Sequence, residues 1–207
     1  MGDEQAEFEQ TVRSAWEAKD FDAAATLAVE RYANEILTFL SARLRSQSDG
    51  QEAFSMFAED LWVGLPQFGW RCSVRTWAYT LARNAANRYA SGPHNRVGRN
   101  LTLSKPSRLS MLVERVRSAT QIHQRTDVKD RFRALRERLE PDDQMLLVLR
   151  IDRDMPWRDV AVAMSGDAEL DDDGIARESA RLRKNFERIK VELKRMAEED
   201  GLLGSRS

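Results

Sequence analysis

Apolar residues recur along this chain at helical spacing, and nowhere do they alternate with period two for long enough to predict a strand. Phe8, Val12 and Trp16 share one face of a first helix. Ala24, Leu27, Ala28, Tyr32, Ile36, Phe39, Leu40 and Leu44 make a second stripe running to about Arg45, and Ser46 to Gly50 reads as a short polar break. Phe54, Phe57, Leu61 and Trp62 predict a third helix, ended by Gly64 and Pro66. A fourth apolar face follows in Val74, Trp77, Ala78, Leu81, Ala82 and Ala85.

Ser91-Gly92-Pro93 interrupts the pattern, and from there to about Thr126 the chain is rich in Gly, Ser, Asn and Arg. That composition predicts a tether with room for one short helix near 108–121. Periodicity resumes with Phe132, Leu135 and Leu139. Pro141 occupies a first-turn position, and Asp142 and Asp143 suit a helix N-terminus. That helix carries Met145, Leu146, Val148 and Leu149, and Pro156 opens another that runs to Met164 with Trp157, Val160 and Ala161 inward. A loop from Ser165 to Gly174 leads to a long last helix with Ile175, Leu182, Phe186, Ile189, Leu193 and Met196 on one seam.

The expectation is an all-α protein: a helical domain over 1–92, a basic linker over 93–126, and a C-terminal domain over 127–207. Its short helix, turn and longer basic helix follow the helix-turn-helix plan, in which the second helix enters the major groove of DNA. Any three-helix bundle can present the same pattern, so charge has to be weighed beside it.

Net charge over the 207 residues is only −1, but its distribution is uneven. Residues 1–60 hold thirteen acids and five bases. From Leu61 through Val113 there is no Asp or Glu, while Arg71, Arg75, Arg83, Arg88, Arg96, Arg99, Lys105 and Arg108 all fall there. A solvated basic face usually keeps some Glu for helix pairing, so a stretch without acids points to a polyanion. On the last helix Arg177, Arg181, Arg183, Lys184, Arg188, Lys190, Lys194 and Arg195 lie off the apolar seam, with Glu178, Glu187 and Glu192 among them.

Catalytic chemistry finds no foothold, and the expectation is a binding protein without cofactor or metal. Asp167, Glu169, Asp171, Asp173 and Glu178 mimic a calcium-loop spacing, yet Asp172 stands where that loop needs Gly, and capping of a helix start explains the cluster. His94 and His123 lack ligand partners at zinc spacing, and no phosphate-cradling glycine loop or nucleophile elbow is present. The lone Cys72, the acidic start Met1-Gly2-Asp3-Glu4-Gln5 and the lack of any bilayer-length apolar run predict a cytoplasmic protein with no membrane segment.

Three stretches resemble the sigma-70 superfamily in its extracytoplasmic-function group. They are Glu30 to Leu40, then Leu61-Trp62 with Leu65 to Phe68 and Ser73-Val74-Arg75-Thr76-Trp77-Ala78-Tyr79-Thr80-Leu81-Ala82-Arg83-Asn84, then Ala134 to Asp143 with Leu146 to Arg150. The second is the most specific, and the similarity spans roughly 20–200. It implies an RNA polymerase sigma factor: region 2 in the first domain, binding the polymerase clamp and the −10 element, and region 4 in the last, binding the −35 element.

Promoter opening requires unstacked bases to be captured, and each base–aromatic stack is worth about 1–3 kcal/mol. By the resemblance, the loop from Leu65 to Ser73 cups a flipped base. Trp70, Arg71, Arg75, Tyr79, Arg83, Asn84, Asn87 and Arg88 serve the −10 strand, and Arg177, Arg181, Lys184 and Arg188 serve −35. Trp77, on the apolar face, reads as core; Tyr79 divides evenly between core and strand contact.

Core polymerase binding would fall to Asp49, Glu52, Glu59 and Asp60. The family usually carries more acids at Asp49-Gly50-Gln51-Glu52, and Ser46, Ser48 and Ser55 flank that gap. Phosphorylation adds about −1.5 to −2 charge, so these serines are candidate sites for a Ser/Thr kinase, Ser55 first. The expected partners are therefore core RNA polymerase, promoter DNA and a kinase, with no anti-sigma partner legible. A helix-turn-helix regulator acting without polymerase is the alternative, and a helical adaptor without DNA contact a third.

Overall fold

A computed structural model describes residues 2–92, 108–119 and 134–202, and all regular structure among them is helical. The N-terminal half comprises α1 (Gly2–Glu17), α2 (Phe21–Leu44), α3 (Gln47–Gly64), a short 3₁₀ turn (Leu65–Gln67) and α4 (Val74–Ala90). Helix α5 (Arg108–Ala119) follows, then α6 (Pro141–Leu147) with a π turn (Val148–Asp152), α7 (Trp157–Ser165) and α8 (Asp172–Glu199). Phe132, His94, His123, Arg96, Arg99 and Lys105 lie outside the described residues, as does the side chain of Arg108.

The helix ends have local causes. Asp20 accepts a hydrogen bond from Ala23 N to start α2, and Arg45 closes it in the left-handed region. Ser46 caps α3 by accepting from Asp49 N, so the polar stretch from Ser46 to Gly50 is a single capping residue followed by helix. Position 50 is glycine because α2 crosses there: a Cβ on it would run into the Ser41 hydroxyl and stand 2.7 Å from Ser41 Cα. Helix propensity alone favours Gly50→Ala by about 1 kcal/mol, whereas forcing two backbones apart costs about 1–3 kcal/mol. We expect Gly50→Ala to lower the urea midpoint of unfolding; a raised midpoint would show that the crossing yields.

The core follows the stripes. Ile36, Leu37, Leu40, Phe54, Phe57 and Leu61 are fully buried at the meeting of α2 and α3, each contributing about 1.5–3 kcal/mol by leaving water. Trp77 is buried and stacks on Phe68 with centroids 4.5 Å apart, as its apolar face predicts. Helix α5 falls within the expected tether, yet it packs on α2 with Leu112 buried. In the C-terminal half, Val160 and Ala161 are buried, while Trp157 is half-buried with the Arg150 and Arg183 guanidinium groups over its ring. Helix α8 begins at Asp172, earlier than the expected loop end at Gly174, because Asp171 caps it by accepting from Gly174 N at 2.7 Å. Among the described residues, no helix is long and apolar enough to cross a membrane.

The buried side chains of both halves form one connected cluster. Helix α4 is the central element, packing on α2 and α3 on one side and on α7 on the other.

Candidate nucleic-acid interface

Ser73 caps α4 by accepting from Thr76 N at 3.0 Å, and Glu9 of α1 accepts from Val74 N at 2.9 Å. The helix start is thereby fixed, and with it the loop from Leu65 to Ser73. In that loop Trp70 adopts a positive φ of 57° and packs edge-on against Trp16 and beside Phe68, with Arg13 over its ring. It is half-buried in an aromatic cluster.

Most of the cations expected to line a DNA strand do lie along this loop and α4. Each of the described ones is met by an acceptor distant in sequence. Arg71, exposed, donates to the Glu169 carbonyl at 3.0 Å and pairs with its carboxylate at 3.0 Å. Arg75 grips Glu35 of α2 through Nε and Nη2 at 3.1 and 3.2 Å, and reaches the Arg153 carbonyl at 3.3 Å. Arg83 meets Asp142 at 3.5 Å, and Asn84 donates to the Gly166 carbonyl at 3.0 Å. Asn87 accepts from Arg43 at 2.8 Å, and Arg88 pairs with Asp60 of α3.

Tyr79 requires a correction. Its ring is fully buried, edge-on against Phe39 with centroids 5.6 Å apart, so it belongs to the core and meets no strand in this arrangement. Arg75, three-quarters buried in its pair with Glu35, likewise faces inward.

Two carboxylates beside the start of α4 are partly withdrawn from water. Burial, the largest cause in each case, raises the pKa of Glu9 above 4.5 and that of Asp159 above 3.8; backbone N–H donors oppose the shift at Glu9, and the Arg158 charge and Thr76 hydroxyl oppose it at Asp159. The same burial, with Asp159, Glu9 and Glu169 nearby, pushes the Cys72 thiol up to about 12, so it stays protonated at neutral pH. A raised carboxylate pKa means the folded state holds its proton longer than the unfolded chain. These two groups therefore favour folding at low pH, and their contribution is lost as pH rises past the ordinary carboxylate values of 4.5 for Glu9 and 3.8 for Asp159. Glu9→Gln with Asp159→Asn should remove that decline, so the wild-type and variant urea midpoints should converge toward acid and separate toward neutrality. Parallel curves would mean both groups are solvated.

On α8, Arg177, Arg181, Arg183 and Lys184 are exposed. Arg181 is held by Glu178 at 2.8 Å, and Arg188, placed with the −35 set by the sequence, pairs with the buried Asp143 of α6 and with Glu192. Arg188 thus ties α8 to α6, and Arg177, Arg181 and Lys184 make the outer strip.

On α3, Asp49 accepts from the Tyr89 hydroxyl at 2.6 Å and Asp60 holds Arg88, so two of the acids expected to meet polymerase already engage α4. Glu52 is exposed and Glu59 half-buried. Ser48 is exposed in the first turn, Ser46 is the cap, and Ser55 is half-buried, donating to the Gln51 carbonyl at 3.3 Å.

Sequence reasoning missed these pairings: Glu35 and Gly166 carry no local motif, Asp142 reads only as a helix-start charge and Glu169 only as part of a calcium-loop mimic. No family model matches the chain, and no curated protein or solved structure is similar enough to count as a match.

Proposed function

We propose that this chain is a sigma-type subunit of RNA polymerase, of the extracytoplasmic-function kind, that brings core polymerase to promoters and captures the opened −10 strand. The observation that carries the reading is the face made by the loop from Leu65 to Ser73 and α4. Arg71, Arg83 and Asn84 lie there, with Trp70 in the same loop, in a stretch of chain without a single acid. Strand capture needs that combination: cations for the backbone and aromatic surface for unstacked bases. The fit of Ser73 to Asn84 to the family's −10 helix supports it as well.

The two halves divide the work. Helix α8 offers Arg177, Arg181 and Lys184 on one exposed strip, suited to phosphates and base edges of the −35 duplex. Helix α3 offers Glu52 and, once modified by a Ser/Thr kinase, Ser48 to the basic clamp of the polymerase. Opening DNA in this way calls for no nucleophile and no metal.

Titration of the purified chain against core RNA polymerase tests the reading. Binding to core, followed by promoter-dependent transcription from a linear template, is expected. Binding to duplex DNA with no affinity for core would make it a regulator independent of polymerase, and binding to neither would make it an adaptor.

A further inference from the structure

We infer that the C-terminal half acts as a latch that closes the strand-capturing face of α4, and that opening the latch is required before single-stranded DNA can bind there. The inference rests on the functional reading above and adds to it a mechanism of control.

The latch places acceptors where a nucleic-acid strand would place its own. Asp142 at the start of α6 stands 2.9 Å from Arg43 and 3.5 Å from Arg83. The Gly166 carbonyl takes the Asn84 amide, and Glu169 takes Arg71 through both carbonyl and carboxylate. The Arg153 carbonyl takes Arg75. Four of the residues expected on the −10 strand are therefore occupied from the C-terminal half.

Close approach is built into the backbone as well. Gly166, at φ 78°, ends α7 in the left-handed region, and a Cβ on it would lie 2.7 Å from Asn84 Oδ1 and 3.1 Å from an Arg83 nitrogen. A Cβ on Gly69, inside the base-cupping loop, would lie 3.1 Å from the Glu169 carboxylate. Beneath these contacts Thr76 and Thr80 are buried, and Thr76 lies near Asp159 of α7. Around those hydroxyls the contact is apolar: Val160, Ala161, Ala163 and Met164 of α7 are buried in the same cluster as Val74, Trp77 and Ala78 of α4.

The polar contacts that ring this apolar patch are the part that substitution can loosen, and domains of one chain move relative to each other unless their interface is large and hydrophobic. Asp142 and Glu169 are each more than half exposed, which keeps their ion pairs weak. A cleft of about 330 Å³, lined by Arg71, Arg158, Val162, Leu170 and Ile175 among others, is left between the loop and α7–α8. Meanwhile the outer strip of α8 stays open to solvent, so duplex binding there does not depend on the latch.

The test compares wild type with Asp142→Lys/Gly166→Gln, which leaves Arg71, Arg75, Arg83 and Asn84 intact. Glu7→Lys, an exposed site on α1, serves as the charge-matched control. Binding of a fluorescein-labelled oligothymidine strand, binding of a duplex, and the radius of gyration are measured on the full chain. The apparent affinity of a binding-competent form scales with its population, so if the closed form dominates by about ten to one, opening should raise single-strand affinity about tenfold. The radius of gyration should grow, and duplex affinity should match that of the control.

Single-strand affinity equal to that of the control, with wild type already binding tightly, would overturn the latch and leave the nucleic-acid reading standing. An unchanged radius of gyration would overturn it too, since Asp142 and Gly166 would then not hold the halves together. If no variant binds single strands even when expanded, the nucleic-acid reading falls and the latch with it. Should the paired substitution impair folding, Asp142→Ala/Glu169→Ala removes two acceptors without backbone strain and is read by the same criteria.

Discussion

In protein carrying Arg71→Glu with Arg83→Glu, permanganate reactivity of the −10 strand is expected to disappear while binding to core polymerase is largely retained. Both cations lie on the loop–α4 face, away from the α3 acids expected to meet polymerase. Their present partners are Glu169 and Asp142, so reversal sets like charges opposite each other and drives the halves apart. Failure to open can therefore not be blamed on a closed latch. What the variant lacks is positive charge against the strand. Hydrogen bonds from charged groups are worth about 1.5–3 kcal/mol each, so losing two lowers strand capture roughly a hundredfold or more. The salt dependence provides a second signature: single-strand binding should lose about 1.4 from its logarithmic slope, about 0.7 for each phosphate contact removed. Arg71 is exposed but the Arg83 side chain is only 17% exposed, so circular dichroism must show that the fold persists before the result is read. Permanganate reactivity that survives the double substitution would end the assignment of α4 as the strand-capturing helix.

The helices were legible because their causes are local. The stripe from Ala24 to Leu44 became α2, the face from Val74 to Ala85 became α4, and Pro141 with Asp142 and Asp143 opens α6. Where boundaries shifted, the cause was a cap or a crossing that composition does not carry. Ser46 turned an apparent break into a helix start, and Gly50, which reads as a breaker, lies inside that helix as a glycine because Ser41 leaves no room for a Cβ. The expected tether hid an apolar turn at Leu112 that packs on α2.

The site was legible only in part. An acid-free stretch of sequence promised free positive charge, but a chain neutralises its charges in space. Arg71 finds Glu169, Arg75 finds Glu35, Arg83 finds Asp142 and Arg88 finds Asp60, each partner far along the sequence and outside the stretch. Tyr79 shows the same limit from the apolar side. Its position on the fourth helix allowed a surface or a core placement, and only the packing of Phe39 against its ring decides for the core. Periodicity reports which residues share a face of one helix and is silent on what another helix brings to that face.

That spatial accounting changes where a modification should act. Of the acids expected to meet the polymerase clamp, Asp49 already accepts from Tyr89 and Asp60 already pairs with Arg88, so the α3 surface is poorer in available charge than its sequence implies. Ser55 is half-buried with its hydroxyl bonded to the Gln51 carbonyl, whereas Ser48 is exposed in the first turn, 3.1 Å from the capping Ser46. A phosphate on Ser48 adds about −1.5 to −2 charge at a helix N-terminus, where the macrodipole favours it, and sets acceptor oxygens toward a basic partner. We expect Ser48→Glu, or wild type phosphorylated at Ser48, to bind core polymerase about tenfold more tightly than unmodified wild type, a gain of about 1.4 kcal/mol. Ser55→Glu should instead lower the urea midpoint, because its carboxylate would be half-buried against the helix backbone. Ser48→Ala should hold the affinity at the unmodified level whether or not kinase is supplied. Equal core affinity for wild type, Ser48→Ala and Ser48→Glu would remove the phosphorylation switch. The strand-capturing role of α4 would stand apart from that result, since Ser48 lies on a different helix and touches none of its cations.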